Sequence, residues 1–161
     1  MLNYYKTPKK LSGFGLIESL VALVVISIGL LGIAALQASS IKLSSSAHWH
    51  NQAVWISYEI TDRILANKSV MSDYDGIDTD NDYSMDCEGS ACTPAAMVTA
   101  DAEDLKNLVS SLPDGRAYIS SPAANTLIVS VMWDDGDEAT NCTNGEPNPK
   151  TRTCYTWTVA E

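Results

Sequence analysis

The sequence predicts an α+β fold, with one long N-terminal helix laid on an antiparallel sheet of three or four strands. Three observations predict it. Residues 19–36 are apolar and uncharged, and they lead into a stripe of apolar residues at helical spacing. Short alternating segments close the chain. Loop-like stretches holding four cysteines separate these elements. The length of 161 residues suits about one domain, and the 45% apolar content suits a folded one. Twenty acidic against ten basic residues give a formal net charge of −10, so no nucleic-acid partner is expected.

The helix is expected from about residue 15 to 68, roughly 80 Å at 1.5 Å per residue. Its first part, Phe14 to Leu36, is long enough to cross a hydrocarbon core of about 30 Å. Lys6, Lys9 and Lys10 precede that span and nearly all the acid follows it. Positive charge stays inside, which places the N-terminus in the cytoplasm and the body outside. A removed secretory signal would have a shorter apolar core and an Ala-x-Ala site, and neither is present. Glu18, five positions into the apolar stretch, costs insertion energy that a plain anchor has no use for, and it is therefore a functional candidate.

Farther along, Trp49, Ala53, Ile56, Ile60 and Ile64 form the amphipathic stripe. His50, Asn51, Ser57, Glu59 and Asp62 fill the other positions. Residues 69–98 read as an acidic loop closed by Cys87 and Cys92. Leu105, Leu108, Val109 and Leu112 predict a short helix, with Asp101, Glu103 and Asp104 at its N-terminus and Pro113 after it. In the turn Pro113-Asp114-Gly115, the proline sets φ and the glycine tolerates a positive one. The strands are Arg116–Ser120, Thr126–Trp133 and Cys154–Val159, with a turn around Pro122 and Asn125 and a loop over 136–152. In the second strand Leu127, Val129, Val131 and Trp133 share a face.

Four cysteines allow three connectivities in an oxidising compartment. The local pairs Cys87–Cys92 and Cys142–Cys154 are favoured because each ties down a loop. Zinc is not expected, since C-x-x-C is missing and both histidines lie far away on the helix. His48 and His50 are about 200° apart around that helix and share no ligand face. H-E-x-x-H, G-x-S-x-G and P-loop patterns are absent, so neither an enzyme nor a cofactor is expected. Asp78-x-Asp80-x-Asp82 imitates the start of a calcium loop, but Tyr83 and Gly89 stand where Gly and Glu belong. With Asp134, Asp135, Asp137 and Glu138, these residues read as a solvated acidic surface.

Gly13-Phe14-Gly15-Leu16-Ile17-Glu18 after a basic leader resembles the type III signal of type IV pilins and pseudopilins. The resemblance implies prepilin-peptidase cleavage between Gly13 and Phe14, N-methylation of Phe14, and a docking role for Glu18 as the fifth mature residue. It divides the chain into a leader (1–13), a transmembrane or filament-core half-helix (14–36), an amphipathic half-helix (37–68) and a periplasmic head (69–161). Gly29-Leu30-Leu31-Gly32, Ala35-Leu36-Gln37-Ala38, 62–67, 91–93, 112–116 and 129–134 resemble the PilV-type minor pilins. That likeness implies a pilin-like fold and a role in pilus assembly, motility or adhesion. The partners implied are other minor pilins, the major pilin, prepilin peptidase and, before assembly, the inner membrane. Gly29 and Gly32 would permit close helix packing. A type II secretion pseudopilin and a tip-exposed adhesin are the alternatives.

Overall fold

The computed structural model describes residues 15–84, 87, 91–136 and 152–160. In chain order they form α1 (Leu16–Ala66), a 3₁₀ segment (Lys68–Tyr74), α2 (Pro94–Val109), β1 (Arg116–Ala123), β2 (Thr126–Trp133) and β3 (Thr153–Ala160). The chain falls into two compact units, Met1–Lys42 and Leu43–Glu161.

In the first unit α1 is apolar nearly all round between Leu20 and Leu36, and Leu20, Val24, Ile28 and Leu31 are all exposed. This helix is long and apolar enough to cross a membrane, and none of its most apolar stretch is buried within the protein. A helix apolar all round needs hydrocarbon or other helices around it.

In the second unit α1 buries one stripe. Ala53, Ile56, Ile60 and Ile64 enter the core, with Trp49 packed against its edge. Ser57 and Thr61 are buried beside them, although the sequence pattern places Ser57 on the polar side. Each hydroxyl is satisfied inside the helix: Ser57 Oγ donates to the Ala53 carbonyl at 2.9 Å and Thr61 Oγ1 to that of Ser57 at 2.6 Å. A hydroxyl bonded in this way can be buried at little cost.

The stretch after α1 read as loop contains helical segments. Its 3₁₀ segment sends Met71 and Tyr74 into the core. Helix α2 begins at Pro94, ahead of Asp101, where the sequence pattern places its N-terminus. Thr93 caps it, accepting from the Ala96 N–H at 3.2 Å, and Pro94 follows in the first turn, where its missing N–H costs nothing. Asp101, Glu103 and Asp104 therefore lie mid-helix and not at its N-terminus. The helix stops at Val109, short of Leu112, which is buried from the following turn. In that turn Asp114 takes the positive φ, at 48°. Gly115 is required for space instead, because a Cβ there would collide with the Val109 carbonyl oxygen.

The sheet is antiparallel in the order β1-β2-β3. Its register aligns Ile119 with Val129 and Trp157, and Ala117 with Val131 and Tyr155. β1 runs on to Ala123, with an irregularity between Ser120 and Ala123 where Pro122 cannot donate. Asn125, with φ at 55°, makes the turn into β2. Residues 76–79 lie along the outer edge of β1: Gly76 N–H donates to Ile119 O at 2.9 Å and Ile119 N–H to Ile77 O at 2.9 Å. This short bridge lies in the stretch read from the sequence as loop, and it covers an edge of β1 that would otherwise be open.

The core joins the α1 stripe to Ala102, Leu105 and Val109 of α2 and to the inner face of the sheet. Leu127, Val129, Val131 and Trp133 line that face, as their alternation predicts. The other face of β2 is buried as well, through Ile128, Ser130 and Met132.

Burial alone separates the two parts of α1 energetically. Ile60→Ala should cost about 2–5 kcal/mol in urea unfolding of the chain in micelles, followed by near-ultraviolet circular dichroism. Leu30→Ala, a similar truncation on the uncovered part, should leave that transition unchanged.

Candidate functional site

The chemistry-bearing N-terminal residues sit on α1. Gly15 O accepts from the N–H groups of Glu18 at 3.0 Å and Ser19 at 3.2 Å, which opens the first turn. Glu18 lies in that turn, exposed among apolar neighbours. A carboxylate there is favoured by the positive end of the helix dipole. Glu18, Gly29 and Gly32 fall within an arc of about 60° around a helix turning about 100° per residue. The fold thus brings the carboxylate and both glycines onto one face. Apart from the helix's own backbone, nothing lies within 4 Å of where a Cβ would stand on Gly29 or Gly32, so a neighbouring backbone could approach there. Ser27, between them and Glu18, keeps its hydroxyl inside the helix by donating to Leu23 O at 2.7 Å. Gly13 and Phe14 lie outside the described residues.

Residues 8–34 match the family model described as the prokaryotic N-terminal methylation motif. The match takes in Gly13, Phe14, Glu18, Gly29 and Gly32, and it supports a type IV pilin-like protein. The motif and the apolar helix are consistent with membrane anchoring of such a protein. The long helix on a three-stranded antiparallel sheet fits the pilin-like fold. No curated protein and no solved structure matches the chain.

A disulfide joins Cys87 to Cys92. It closes the loop immediately before the Thr93 cap of α2. Cys154, at the start of β3, is also disulfide-bonded, while Cys142 lies outside the described residues. The histidines are packing groups. His48 sits edge-to-face with Trp49 at 4.9 Å between centroids, and His50 packs against Tyr155 at 5.5 Å and Trp133 at 6.1 Å. Among the described residues no cluster of three or more His, Cys, Asp or Glu could hold a metal.

The acidic segments keep Asp80 and Asp82 exposed, as a solvated surface would, but ion pairs hold them and cover Asp78. Arg116, on β1, grips Asp78 through Nε at 3.1 Å and Nη2 at 2.6 Å, and reaches Asp80 at 3.1 Å. Lys106 holds Asp82 at 2.6 Å. Asp135 accepts from Thr153 Oγ1 at 2.8 Å and Ser46 Oγ at 3.3 Å. These carboxylates pin loops to the sheet and helices. Asp86, Glu88, Asp137 and Glu138 are outside the described residues.

Sequence reasoning passed over the polar centre of the head. Arg63 Nη1 donates to Asp101 at 3.2 Å and Asp104 at 2.6 Å, while Nη2 reaches Glu59 at 3.2 Å. Tyr74 Oη donates to Asp101 Oδ2 at 2.5 Å. Asn67 Nδ2 donates to Tyr74 Oη at 3.2 Å and to Pro94 O at 2.8 Å. Burial pushes the Tyr74 phenol well above its ordinary value and Asp101 beside it adds to this, so Tyr74 remains a neutral donor. The available signal was Asp101 itself, set among Val98, Ala102 and Leu105 on the apolar side of α2.

Two outcomes follow from these contacts. Burial raises the Asp78 carboxyl, but Arg116 and the Asp80 N–H together hold it below the usual carboxylate range. Its stabilising effect is therefore present above the unfolded value of about 3.9 and is lost as pH falls through the depressed folded value. Carboxyl-carbon NMR should show that low midpoint, and Arg116→Ala should raise it. A wild-type midpoint at or above the ordinary value would refute the pairing. Non-reducing peptide mapping should recover Cys87–Cys92 and Cys142–Cys154, whereas a Cys154 link to any other cysteine would exclude the second pair.

Proposed function

We propose that the chain is a minor pilin of the PilV type, a structural component that helps prime type IV pilus assembly and supports motility or adhesion. The observation that carries this reading is the methylation motif, with Glu18 placed five residues beyond the expected cut on an uncovered apolar helix. Prepilin peptidase would remove residues 1–13 and methylate Phe14. The N-terminus faces the cytoplasm and the head the periplasm, until the subunit leaves the inner membrane for the pilus.

Docking is assigned to the face that carries Glu18, Gly29 and Gly32. The glycines let a neighbouring helix approach closely, and the Glu18 carboxylate meets the N-terminal amine of the adjacent subunit. An unpaired carboxylate is costly in hydrocarbon, so this pairing selects the correct axial register. The partners are other minor pilins and the major pilin. The protein then acts as a substrate of processing enzymes and needs no catalytic site of its own. Pseudopilins of type II secretion share the same signal, and the stretches resembling PilV favour the pilus.

Glu18→Val separates processing from docking. The substitution makes the span more apolar and leaves the scissile bond untouched. Intact mass in cells with prepilin peptidase should show a chain starting at Phe14 with one added methyl, for wild type and variant alike. Co-purification with other pilins should be lost in the variant, and surface pili should be fewer. Entry of the variant into sheared filaments at the wild-type ratio would exclude the pairing role, and retention of residues 1–13 in the wild type would exclude a pilin altogether.

A further inference from the structure

Where the end of α1 meets the first turns of α2, the two helices leave a cavity of about 310 Å³. Ala66, Pro94 and Met97 give it apolar walls, and Arg63, Asn67 and Asp101 give it polar ones. The donors in this wall are already engaged. Arg63 uses Nε, Nη1 and Nη2 on carboxylates, and Asn67 directs Nδ2 to Tyr74 Oη and Pro94 O.

Acceptor capacity remains. Asp101 is only 4% exposed and lines the cavity. Each of its oxygens takes one bond, from Arg63 or from Tyr74, whereas an ionised carboxylate accepts about four. Asn67 retains its Oδ1 as a second acceptor. Glu59, Asp101 and Asp104 surround the single Arg63 guanidinium, an excess of two negative charges in a chain of net −10. A site with apolar walls, free acceptors and negative charge rejects anions and suits a cation on an aliphatic stem.

We propose that this cavity is a docking site for a lysine side chain of a partner protein. Its four-carbon stem would lie along Ala66, Pro94 and Met97, and its ammonium would reach the acceptors at Asp101 and Asn67. Met97, flexible and 40% exposed, forms an adaptable rim. The carboxylates supply the charge needed to offset desolvation of the ammonium. The inference does not depend on the chain entering a filament.

The test uses the full chain in detergent micelles, with ¹³C-methyl methionine and ¹⁵N labels. The probes are two capped tripeptides, acetyl-Gly-Lys-Gly-amide and the same peptide with norleucine, which keeps the stem and removes the charge. The lysine peptide should shift the Met97 methyl and Asn67 side-chain signals saturably, and should weaken with added salt. The norleucine peptide should bind about tenfold more weakly or worse. Asp101→Asn removes the central acceptor but also disturbs Arg63, so Met97→Trp provides the second variant. It fills the exposed rim and should abolish binding while leaving the Ile60 and Trp133 signals in place. Equal binding of both peptides, no saturable response to the lysine peptide, or wild-type binding by Met97→Trp would each overturn the proposal.

Discussion

Helix α1 must satisfy two different solvents, and the rest of the structure follows from that. From Leu20 to Leu36 it is apolar nearly all round, and nothing within the described residues covers it. Such a surface is stable only in hydrocarbon or among other helices. Beyond that point the same helix narrows its apolar surface to one stripe, which α2 and the sheet cover. The first part makes the protein dependent on a membrane or a partner. The second gives the head its core.

A carboxylate on the uncovered part has meaning because of that solvent change. In water Glu18 would be an ordinary first-turn acid, favoured by the helix dipole. Among apolar side chains it needs a counter-charge. The face it shares with Gly29 and Gly32 offers a neighbour both an electrostatic partner and room for its backbone, and this geometry underlies the docking role proposed for it.

The head meets a different requirement, which is to satisfy polar groups that its own folding buries. Asp101 sits on the core side of α2 and is balanced by Arg63 and Tyr74. Arg63 belongs to α1, Tyr74 to the 3₁₀ segment and Asp101 to α2, so one buried acid fixes three elements against one another. Arg116 does the same at the other side of the head, tying the 76–80 segment to β1 through Asp78 and Asp80. The strong negative charge is thus partly structural: several acids are held by the few cations the head contains.

The long helix, the central strand and the Cys87–Cys92 link were legible in the sequence because each rests on local information. A 3.6-residue stripe, a two-residue alternation and a short loop between cysteines need no distant partner to be recognised. The methylation motif is local in the same sense, being a fixed order of residues around Gly13 and Glu18. What the tertiary structure decided depends on residues far apart in the chain. Helix α2 could start at Pro94 because Thr93 caps it and Asn67, 27 positions earlier, holds the Pro94 carbonyl. Ser57 could be buried because its hydroxyl turns back on its own helix. Asp78 ties its segment to the sheet because Arg116 lies across from it, 38 positions away. Periodicity shows which face of an element is apolar, but only the packed structure shows which polar group on that face finds a partner.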